Sequence, residues 1–417
     1  FHKKNILVKS IGIKKQILLI PYGNKMINSN KVSIVGGAGH VGAPLGLVLS
    51  SKGYNVVLID KNQKNIKKIN SGEMPFVEEG CTKLLKKMIY KKKIFATSQL
   101  SEVTKSKFII VCIGTPINNK RDPNLKIFLN FFYNLKKYLK KNHIVIIRSS
   151  IYPGISEKVF NIIKNKCKNL SYCPERIAQG RSLKELPHIS QIISGTNNKA
   201  KLESGKIFKK VCKKIINSKI AEAELIKLFS NAYRYINFSI SNQFYMMCQN
   251  QGLNFNKVRN LMRDNYERNA NIPKAGFTAG PCLMKDTMQL SSFYNHDFKL
   301  CHSAMKINEG LPLYIIKNLS EKYDLRKKIV GVLGLSFKAE NDDIRDSLSI
   351  KLLKMLKSKK IKTLQSDEYY KDKKNISKNI LTKKSDIIII GTPHKAYKKL
   401  KIKKNKTLID IWNIIKK

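Results

Sequence analysis

Cys282 lies in a stretch whose residue types suit covalent chemistry: Gly280-Pro281-Cys282, then Lys285-Asp286. Proline favours the first turn of a helix, so Pro281 predicts that Cys282 lies in that turn and Asp286 one turn later on the same face. The positive end of the helix dipole, with lysines nearby, is expected to lower the pKa of such a thiol. The residues therefore indicate a thiolate nucleophile, although taken alone they also fit an inert buried cysteine.

Lys227 and Asn231 form a second candidate pair. They are four residues apart in a stretch without glycine or proline, so they share one face of a predicted helix. The spacing alone is most often a polar stripe on a helix surface.

A glycine-rich turn follows the apolar strand predicted at 32–35 and precedes an apolar helix. It reads Gly37-Ala38-Gly39-His40-Val41-Gly42. Gly37 permits the tight turn, Gly39 lets the backbone approach a pyrophosphate, and Gly42 allows close helix packing. Asp60 ends the next predicted strand, about 20 residues later, where a carboxylate accepts hydrogen bonds from ribose hydroxyls. We therefore expect NAD, rather than NADP, as cofactor.

These residues require strands and helices to position them. Strands are predicted at 32–35, 55–59, 108–112, 144–147, 170–173 and 189–194, with helical stretches between most of them. The chain then reads as one long helix over 221–252, with further helices around 256–265 and 286–320. Strands return at 329–333, 361–365, 386–390 and 408–411. Such alternation predicts an α/β protein, with two Rossmann-like doubly wound parallel-sheet domains joined by a central helical domain.

The predicted division of the chain has four parts. Residues 1–30 are a basic extension outside the fold, 31–217 an N-terminal NAD-binding domain, 218–320 a central helical dimerisation domain, and 321–417 a C-terminal nucleotide-sugar-binding domain.

The formal net charge of +53 suggests nucleic-acid binding at first. Lysines are scattered through nearly every segment, however, and arginines are few, so a solvated lysine surface explains the charge better. Such a surface attracts an acidic substrate. We therefore expect no nucleic-acid partner, and a basic nucleic-acid-binding protein remains the alternative from a different class.

Eight cysteines without a CxxC pair suit a reducing compartment, and we expect a cytoplasmic protein. Seven dispersed histidines predict no metal site. Apolar runs fall short of the roughly 20 residues that cross a bilayer, so no membrane partner is expected.

Several motifs occur in the order typical of one enzyme family. Besides the glycine-rich turn, they are 111–116, 149–154, the Cys-Pro-Glu-Arg segment 173–176, the Lys/Asn helix 224–231, the nucleophile segment 276–286, Phe337-Lys338 and 342–347. Over about residues 31–415 the chain resembles the UDP-glucose/GDP-mannose dehydrogenase family. One departure is Ala279-Gly280-Pro281-Cys282, where the family usually has Gly-Gly-x-Cys; proline removes a backbone donor and stiffens the loop.

The resemblance implies an NAD-dependent nucleotide-sugar 6-dehydrogenase. The C6 hydroxyl would be oxidised to a carboxylate in two hydride transfers, through a thioester on Cys282. Lys227 and Asn231 would stabilise the oxyanion, and Glu175 and Asp286 are the carboxylates expected to activate water.

Other residues are expected to bind the two ligands. Thr115 and Ser150 would line the nicotinamide side, and Arg345 would contact the cofactor. Arg268, Lys338 and Gly280 would meet the nucleotide sugar. In the family an arginine ahead of the nucleophile can enter the neighbouring subunit's site, so a homodimer is expected.

The sugar is less closely defined. The position of Arg268 ahead of Cys282 and the Cys-Pro-Glu-Arg segment are similar to those of members that act on UDP-N-acetylhexosamines such as UDP-N-acetylmannosamine, which are used for polysaccharide precursors. UDP-glucose is the second choice. A hydroxyacid dehydrogenase of the 6-phosphogluconate type would share the dinucleotide fold and the helical domain, but would need neither the thiol nor a C-terminal α/β domain.

Overall fold

A computed structural model describes residues 28–115, 124–278 and 280–415 of the 417-residue chain. The predicted extension therefore lies largely outside the described residues, as do Pro116 and Ala279. Its last residues are an exception, because the first strand begins at Asn28 and includes residues 28–30 that were predicted to lie outside the fold.

The N-terminal region is a twisted sheet with helices on both faces. Its strands are β1 (Asn28–Val35), β2 (Asn55–Ile59), β3 (Ile94–Thr97), β4 (Ser106–Val111), β5 (Ile144–Ile147), β6 (Leu170–Tyr172), β7 (Gln191–Gly195) and β8 (Ile215–Asn217). Its helices are α1 (Gly42–Ser51), α2 (Gln63–Asn70), α3 (Cys81–Tyr90), α4 (Leu125–Lys136), α5 (Ile155–Ile163), α6 (Ser182–Glu185) and α7 (Asn198–Lys209).

The strand order is β3-β2-β1-β4-β5-β6-β7-β8, and every neighbouring pair is parallel except β6 with β7. The first six positions have the order of the dinucleotide-binding fold, so the predicted doubly wound sheet is confirmed. Ligands bind such sheets outside the carboxyl ends of the strands, where β1 and β2 end at the glycine-rich turn and Asp60. Strands β3 and β8 were not predicted; both are short and lie at the two edges of the sheet, where one face or both stay partly exposed.

The central region is helical. It comprises α8 (Ile220–Asn250), α9 (Phe255–Arg263), α10 (Leu283–Phe293) and α11 (Lys299–Lys322). The long α8 packs against both α10 and α11. The helix that carries Lys227 and Asn231 thus lies beside the helix that follows Cys282.

The C-terminal region is a smaller parallel sheet. Its strands β9 (Ile329–Leu333), β10 (Lys362–Ser366), β11 (Ile387–Ile390) and β12 (Thr407–Ile409) have the order β10-β9-β11-β12, with helices α12 (Leu348–Ser358) and α13 (Lys378–Lys384). One hydrophobic core joins this sheet to the helices, since Tyr245, Phe255 and Leu311 pack in the same cluster as Val330 and Val332. Among the described residues, no helix is long and apolar enough to cross a membrane.

Candidate active site

The glycine-rich turn connects β1 to α1 and has no room for side chains at two of its glycines. A Cβ atom on Gly37 would lie 2.5 Å from the Ile34 carbonyl oxygen, and one on Gly42 would lie 2.5 Å from the Gly36 carbonyl oxygen. At Gly39 the nearest atom would be 3.4 Å away. The turn is therefore packed on its inner side and open at Gly39, where the N-terminus of α1 can meet a pyrophosphate. This geometry fits a dinucleotide.

Asp60 follows β2 and faces the same turn. Its Oδ2 accepts a hydrogen bond from the Ala38 N–H (3.1 Å), and its Oδ1 accepts one from the Asn62 N–H (3.0 Å). Each oxygen keeps further lone-pair capacity for ribose hydroxyls. These two backbone N–H groups thus hold the carboxylate beside the turn, where it is expected to bind the ribose.

His40 connects the turn to the C-terminal region. The Gln179 amide nitrogen lies 2.8 Å from His40 Nδ1 and donates to Asp343 Oδ2 (3.1 Å), while Arg345 holds both oxygens of Asp343. Burial lowers the pKa of His40 to about 4, against the opposing charge of Asp343, so the ring is neutral at pH 7. Val41, the next residue, is the N-cap of α1. Arg345 is thereby positioned beside the dinucleotide-binding turn.

Cys282 is the N-cap residue of α10, one position before the first helical turn in which it was expected. The Asp286 N–H donates to the Cys282 carbonyl (2.9 Å), which places Asp286 one turn further along the helix. The Cys282 side chain is solvent-accessible, whereas Asp286 is fully buried. The predicted arrangement of thiol and carboxylate is therefore present.

Asp286 is the centre of a polar cluster from three parts of the chain. Its Oδ2 accepts a hydrogen bond from the Asn231 amide on α8 (2.6 Å), and its Oδ1 lies 3.2 Å from Lys285 Nζ. Lys285 also donates to Thr115 Oγ1 (3.0 Å), which in turn donates to the Ser150 carbonyl (2.6 Å). The residues expected at the nicotinamide side and those expected at the thiol are thus connected through Lys285.

The expectation of a lowered thiol pKa is wrong for this structure. Protein atoms around the accessible Cys282 thiol desolvate its thiolate and raise its pKa, and the charge of Asp286 raises it further. Lys285, Lys227 and Arg345 lower the pKa, but they do not reverse its direction. The helix terminus and the lysines predict a lowered pKa, but desolvation and the buried carboxylate have the larger effect.

Glu175 has partners of a different kind. Its Oε2 accepts from Arg148 Nε (2.8 Å), and its Oε1 accepts from the N–H groups of Arg176 (2.7 Å) and Ile177 (2.8 Å). Arg148 and Glu175 are both buried. These contacts are those of a structural ion pair, whereas the charge of Asp286 acts on the pKa of the Cys282 thiol.

The residues predicted to meet the nucleotide sugar lie in different places. Lys338 donates to the Gln179 carbonyl (2.8 Å), between the N-terminal and C-terminal regions, and burial lowers its pKa. Gly280 has a φ of +110°, which favours glycine, and a Cβ there would lie 2.5 Å from the Phe337 ring. Arg268 is exposed, and its guanidinium lies over the Tyr266 ring at 5.8 Å. Lys338 and Gly280 therefore lie at contacts between regions, whereas Arg268 is on the surface.

Three functional candidates were not predicted: Lys285, Gln179 and Asp343. Lys285 was noted only as the residue before Asp286, and Asp343 only as part of a motif. A signal existed for both, since each is a charged residue beside a predicted site residue. Gln179 offered no such signal, because only the tertiary fold brings it to His40. The described residues include no group of three or more His, Cys, Asp or Glu side chains that could hold a metal ion.

Comparisons with known proteins agree with this geometry. A UDP-N-acetyl-D-mannosamine dehydrogenase of Pyrococcus horikoshii is 29% identical over 399 residues, covering 91% of this chain and 95% of the relative. A UDP-glucose 6-dehydrogenase of Rickettsia felis is 26% identical and covers 91% of each chain. The solved structure of a UDP-D-ManNAc dehydrogenase from P. horikoshii superimposes with a TM-score of 0.85 at 28% identity, covering 93% of this chain and 96% of that one.

The chain also matches the three domains that define one family. Residues 30–216 match its NAD binding domain, 221–310 its central domain and 331–417 its UDP binding domain. This protein is therefore a member of the UDP-glucose/GDP-mannose dehydrogenase family, an NAD-dependent oxidoreductase of nucleotide sugars.

Proposed function

We propose that this protein oxidises the C6 hydroxyl of UDP-N-acetylmannosamine to the carboxylate, as a precursor for polysaccharide synthesis. The observation that carries the proposal is the position of Cys282 at the N-terminus of α10, beside Asp286 and within the electrostatic reach of Lys227, Lys285 and Arg345. An ordinary alcohol dehydrogenase has no use for a thiol at this point, whereas a thiol can hold the aldehyde covalently so that it gives up a second hydride.

NAD, when bound along the glycine-rich turn and Asp60, accepts one hydride in each of the two oxidations. The first oxidation converts the C6 alcohol into an aldehyde and releases one proton. Cys282 sulfur then bonds to the aldehyde carbon while a base takes the thiol proton, which leaves the thiohemiacetal oxygen as an oxyanion. Loss of a second hydride from this thiohemiacetal gives a thioester, and water releases the carboxylate and restores the thiol. One sugar and one water thus consume two NAD.

The raised pKa of Cys282 assigns a task to Asp286. A thiol that stays protonated at neutral pH needs a base as it attacks, and the same base can later activate the hydrolytic water. Asp286 Oδ1 is buried, lies 3.2 Å from Lys285 Nζ and accepts no hydrogen bond from the described residues, so it keeps a lone pair that can take a proton. Lys227 supplies positive charge to the developing oxyanion, and Asn231 holds Asp286. Glu175 was the other expected base, and its ion pair with Arg148 supports a structural function instead.

The choice of sugar rests on the relatives. The P. horikoshii protein named for UDP-N-acetyl-D-mannosamine is more similar to this chain than the R. felis protein named for UDP-glucose, at 29% against 26% identity. UDP-glucose therefore remains the second candidate.

The test is NADH formation with five separate substrates: UDP-N-acetylmannosamine, UDP-glucose, UDP-N-acetylglucosamine, UDP-N-acetylgalactosamine and GDP-mannose. We expect the highest kcat/KM with the first and two NADH per sugar. A higher value with UDP-glucose would move the assignment to the second candidate, and one NADH per sugar would contradict the four-electron reaction.

A homodimer is part of the proposal. The exposed side chains Phe229, Tyr233, Ile240, Phe244 and Met247 lie on α8. At 100° per residue they fall within an arc of about 60°, so they form one apolar stripe along the helix. Such a stripe on the surface of a single chain marks an interaction surface, and we propose a second copy of the chain as its partner.

Arg268 provides the test of that dimer. If it acts in the partner's site, the inactive variants Arg268→Ala and Cys282→Ala complement each other when co-expressed. Half of the randomly mixed dimers are then heterodimers with one intact site, which restores about a quarter of the wild-type sites. An inactive mixture would place Arg268 outside the partner's site.

We also propose that the enzyme is cytoplasmic, since its eight free cysteines stay reduced in that compartment.

A further inference from the structure

The loop that leads to Cys282 is anchored at its start by the central helices. We call the described residues 272–278 and 280–281 the nucleophile loop. The Arg259 side chain donates to the carbonyl oxygens of Ile272 (2.7 Å) and Pro273 (3.0 Å), and the Ser241 hydroxyl also donates to Pro273 (2.8 Å). These contacts hold the first residues of the loop to α8 and α9.

The middle of the nucleophile loop lies between a helix and an aromatic ring. On one side, the Gly276 N–H donates to Asn242 Oδ1 on α8 (2.9 Å). On the other, a Cβ atom on Gly276 would lie 2.5 Å from each of three carbon atoms of the Trp412 six-membered ring. The ring therefore lies directly against the glycine, and no side chain fits between them.

Trp412 is itself held in place by the C-terminal region. Its indole Nε1 donates to the Gly391 carbonyl (3.0 Å), just after β11, and its own carbonyl accepts from Lys274 Nζ (3.3 Å). Its neighbour Ile411 is buried in the core that also contains Ala275 and Phe277 of the nucleophile loop. The loop is thus part of the hydrophobic core of the C-terminal region.

The far end of the loop meets a second aromatic ring of the same region. Gly280 packs against Phe337, and its left-handed φ of +110° leaves little freedom for an alternative path to Cys282. Two rings from the C-terminal region therefore limit the loop, Trp412 at Gly276 and Phe337 at Gly280. Asp286 follows Cys282 on a rigid helix, so a displaced loop would move the thiol relative to Asn231 and Lys227.

We propose that Trp412 is a positioning residue, which sets the place of the Cys282 thiol by pressing on Gly276. The proposal rests on the proposed function, because it assumes that Cys282 is the nucleophile. It assigns to the C-terminal region a second function besides binding the nucleotide: holding the nucleophile loop in the geometry needed for the attack.

The first test compares variants of Trp412. Trp412→Ala is expected to lower kcat between about 10- and 100-fold, the effect of a displacement of about 1 Å, with little change in the KM for NAD. Trp412→Phe keeps a ring against Gly276 and should recover most of the rate. Leu381→Ala is the matched control, because Leu381 is buried in a cluster that Trp412 also packs against but that contains no residue of the nucleophile loop. It should lower thermal stability without changing the kcat of the folded enzyme. If Leu381→Ala lowers kcat as much as Trp412→Ala, the effect is one of stability and the proposal is wrong.

The second test asks whether Trp412 acts through Gly276. In the wild-type background, Gly276→Ala pushes a methyl group into the ring, and we expect a loss of kcat of at least about tenfold. In the Trp412→Ala background the clash with the ring is gone and only the backbone strain of an alanine at the φ of +157° remains, so the same substitution should cost several-fold less than in the wild type. Equal costs in the two backgrounds would mean that the ring does not act through the glycine, which would overturn the proposal.

A third measurement separates this proposal from the proposed function. Trp412 is the single tryptophan of the chain, so its fluorescence emission reports on its contact with the loop. Gly276→Ala should shift that emission, and it should also change the rate at which iodoacetamide alkylates Cys282, followed by mass spectrometry. If Cys282→Ala still formed the uronate, the proposed function would fail, yet the shift in emission would remain. An unshifted emission with unchanged alkylation would reject the contact itself.

Discussion

The glycine-rich turn and the nucleophile loop both lead into a helix, but they are held in different ways. The turn is built from its immediate surroundings: Gly37 packs on β1 and β2, and Asp60 reaches across to the Ala38 N–H. The nucleophile loop is held less locally: within it the Thr278 N–H donates to the Gly276 carbonyl (2.7 Å), and its other contacts come from elsewhere in the chain. It depends on α8 through Asn242 and on the C-terminal region through Trp412.

This difference predicts which parts of the enzyme tolerate substitution. A site formed within one βαβ unit needs only that unit to be folded, so changes there should have graded effects on cofactor binding. A site assembled from three regions fails when any contact moves the reacting atoms, because the rate depends steeply on their geometry. We expect large effects on kcat at the nucleophile loop and smaller effects on KM at the glycine-rich turn.

The largest effect is expected at Cys282. Cys282→Ala should reduce uronate formation by at least about 10³-fold, because no other group can form the thioester. Its fold should remain, since an alanine at a solvent-accessible N-cap leaves no buried cavity. Supplied with the C6 aldehyde of the nucleotide sugar, the variant should still reduce it to the alcohol with NADH but should fail to oxidise it to the acid with NAD. Cys282→Ser should also lack the four-electron reaction. Undiminished uronate formation by Cys282→Ala would reject the covalent mechanism.

Substitution of Asp286 should give the next largest effect: turnover should fall, while the reactivity of the Cys282 thiol should rise. Asp286→Asn removes a general base and should lower turnover by about 10²-fold. It also removes a negative charge that raises the pKa of Cys282, so the pH midpoint of Cys282 alkylation should fall below the wild-type midpoint. Faster alkylation at pH 7 together with slower turnover distinguishes this role from simple misfolding.

Glu175→Gln is the control for that experiment. Glu175 binds Arg148 and two backbone N–H groups, and we expect its substitution to lower stability while leaving the alkylation midpoint unchanged. If Glu175→Gln instead accumulated a sugar thioester on Cys282, seen by mass spectrometry, then Glu175 would be the hydrolytic base.

A smaller effect is expected at Asp60. Asp60→Ala removes the charged acceptor for the ribose hydroxyls, and the KM for NAD should rise by about tenfold or more. The smaller side chain also leaves space for the additional phosphate of NADP, so the preference for NAD over NADP should become smaller. Because the turn is held separately from the nucleophile loop, Cys282 alkylation without cofactor should not change. A changed alkylation rate would show that the two sites are coupled rather than held separately.

The smallest effect is expected from a truncation. A chain that begins at Met26 keeps all of β1, which starts at Asn28, and should retain the wild-type kcat and melting temperature. A truncated chain that failed to fold would show that residues 1–25 contribute to the fold. The full chain measured in the same preparation is the control.

The sequence alone was sufficient to predict those features that neighbouring residues determine. Apolar strands such as Ile144–Ile147 alternate with helices, glycines mark the turn after β1, and Asp60 ends the next strand at the expected distance. Each of these patterns arises from neighbouring residues, because a buried parallel strand or a helix N-terminus is determined within one βαβ unit. Order and content of the motifs also identified the family, the NAD cofactor and Cys282 as the candidate nucleophile.

How those residues act on one another depends on the tertiary structure and could not be predicted from the sequence. A pKa depends on the desolvation and the charges around a group, and the raised pKa of Cys282 comes from packing and from Asp286, which no spacing in the sequence could weigh against the lysines. Glu175 finds its partner Arg148 across two strands, and Gly276 meets Trp412 from far along the chain. Such contacts join residues that are distant in sequence, and so their energies are set by the folded arrangement rather than by any local pattern.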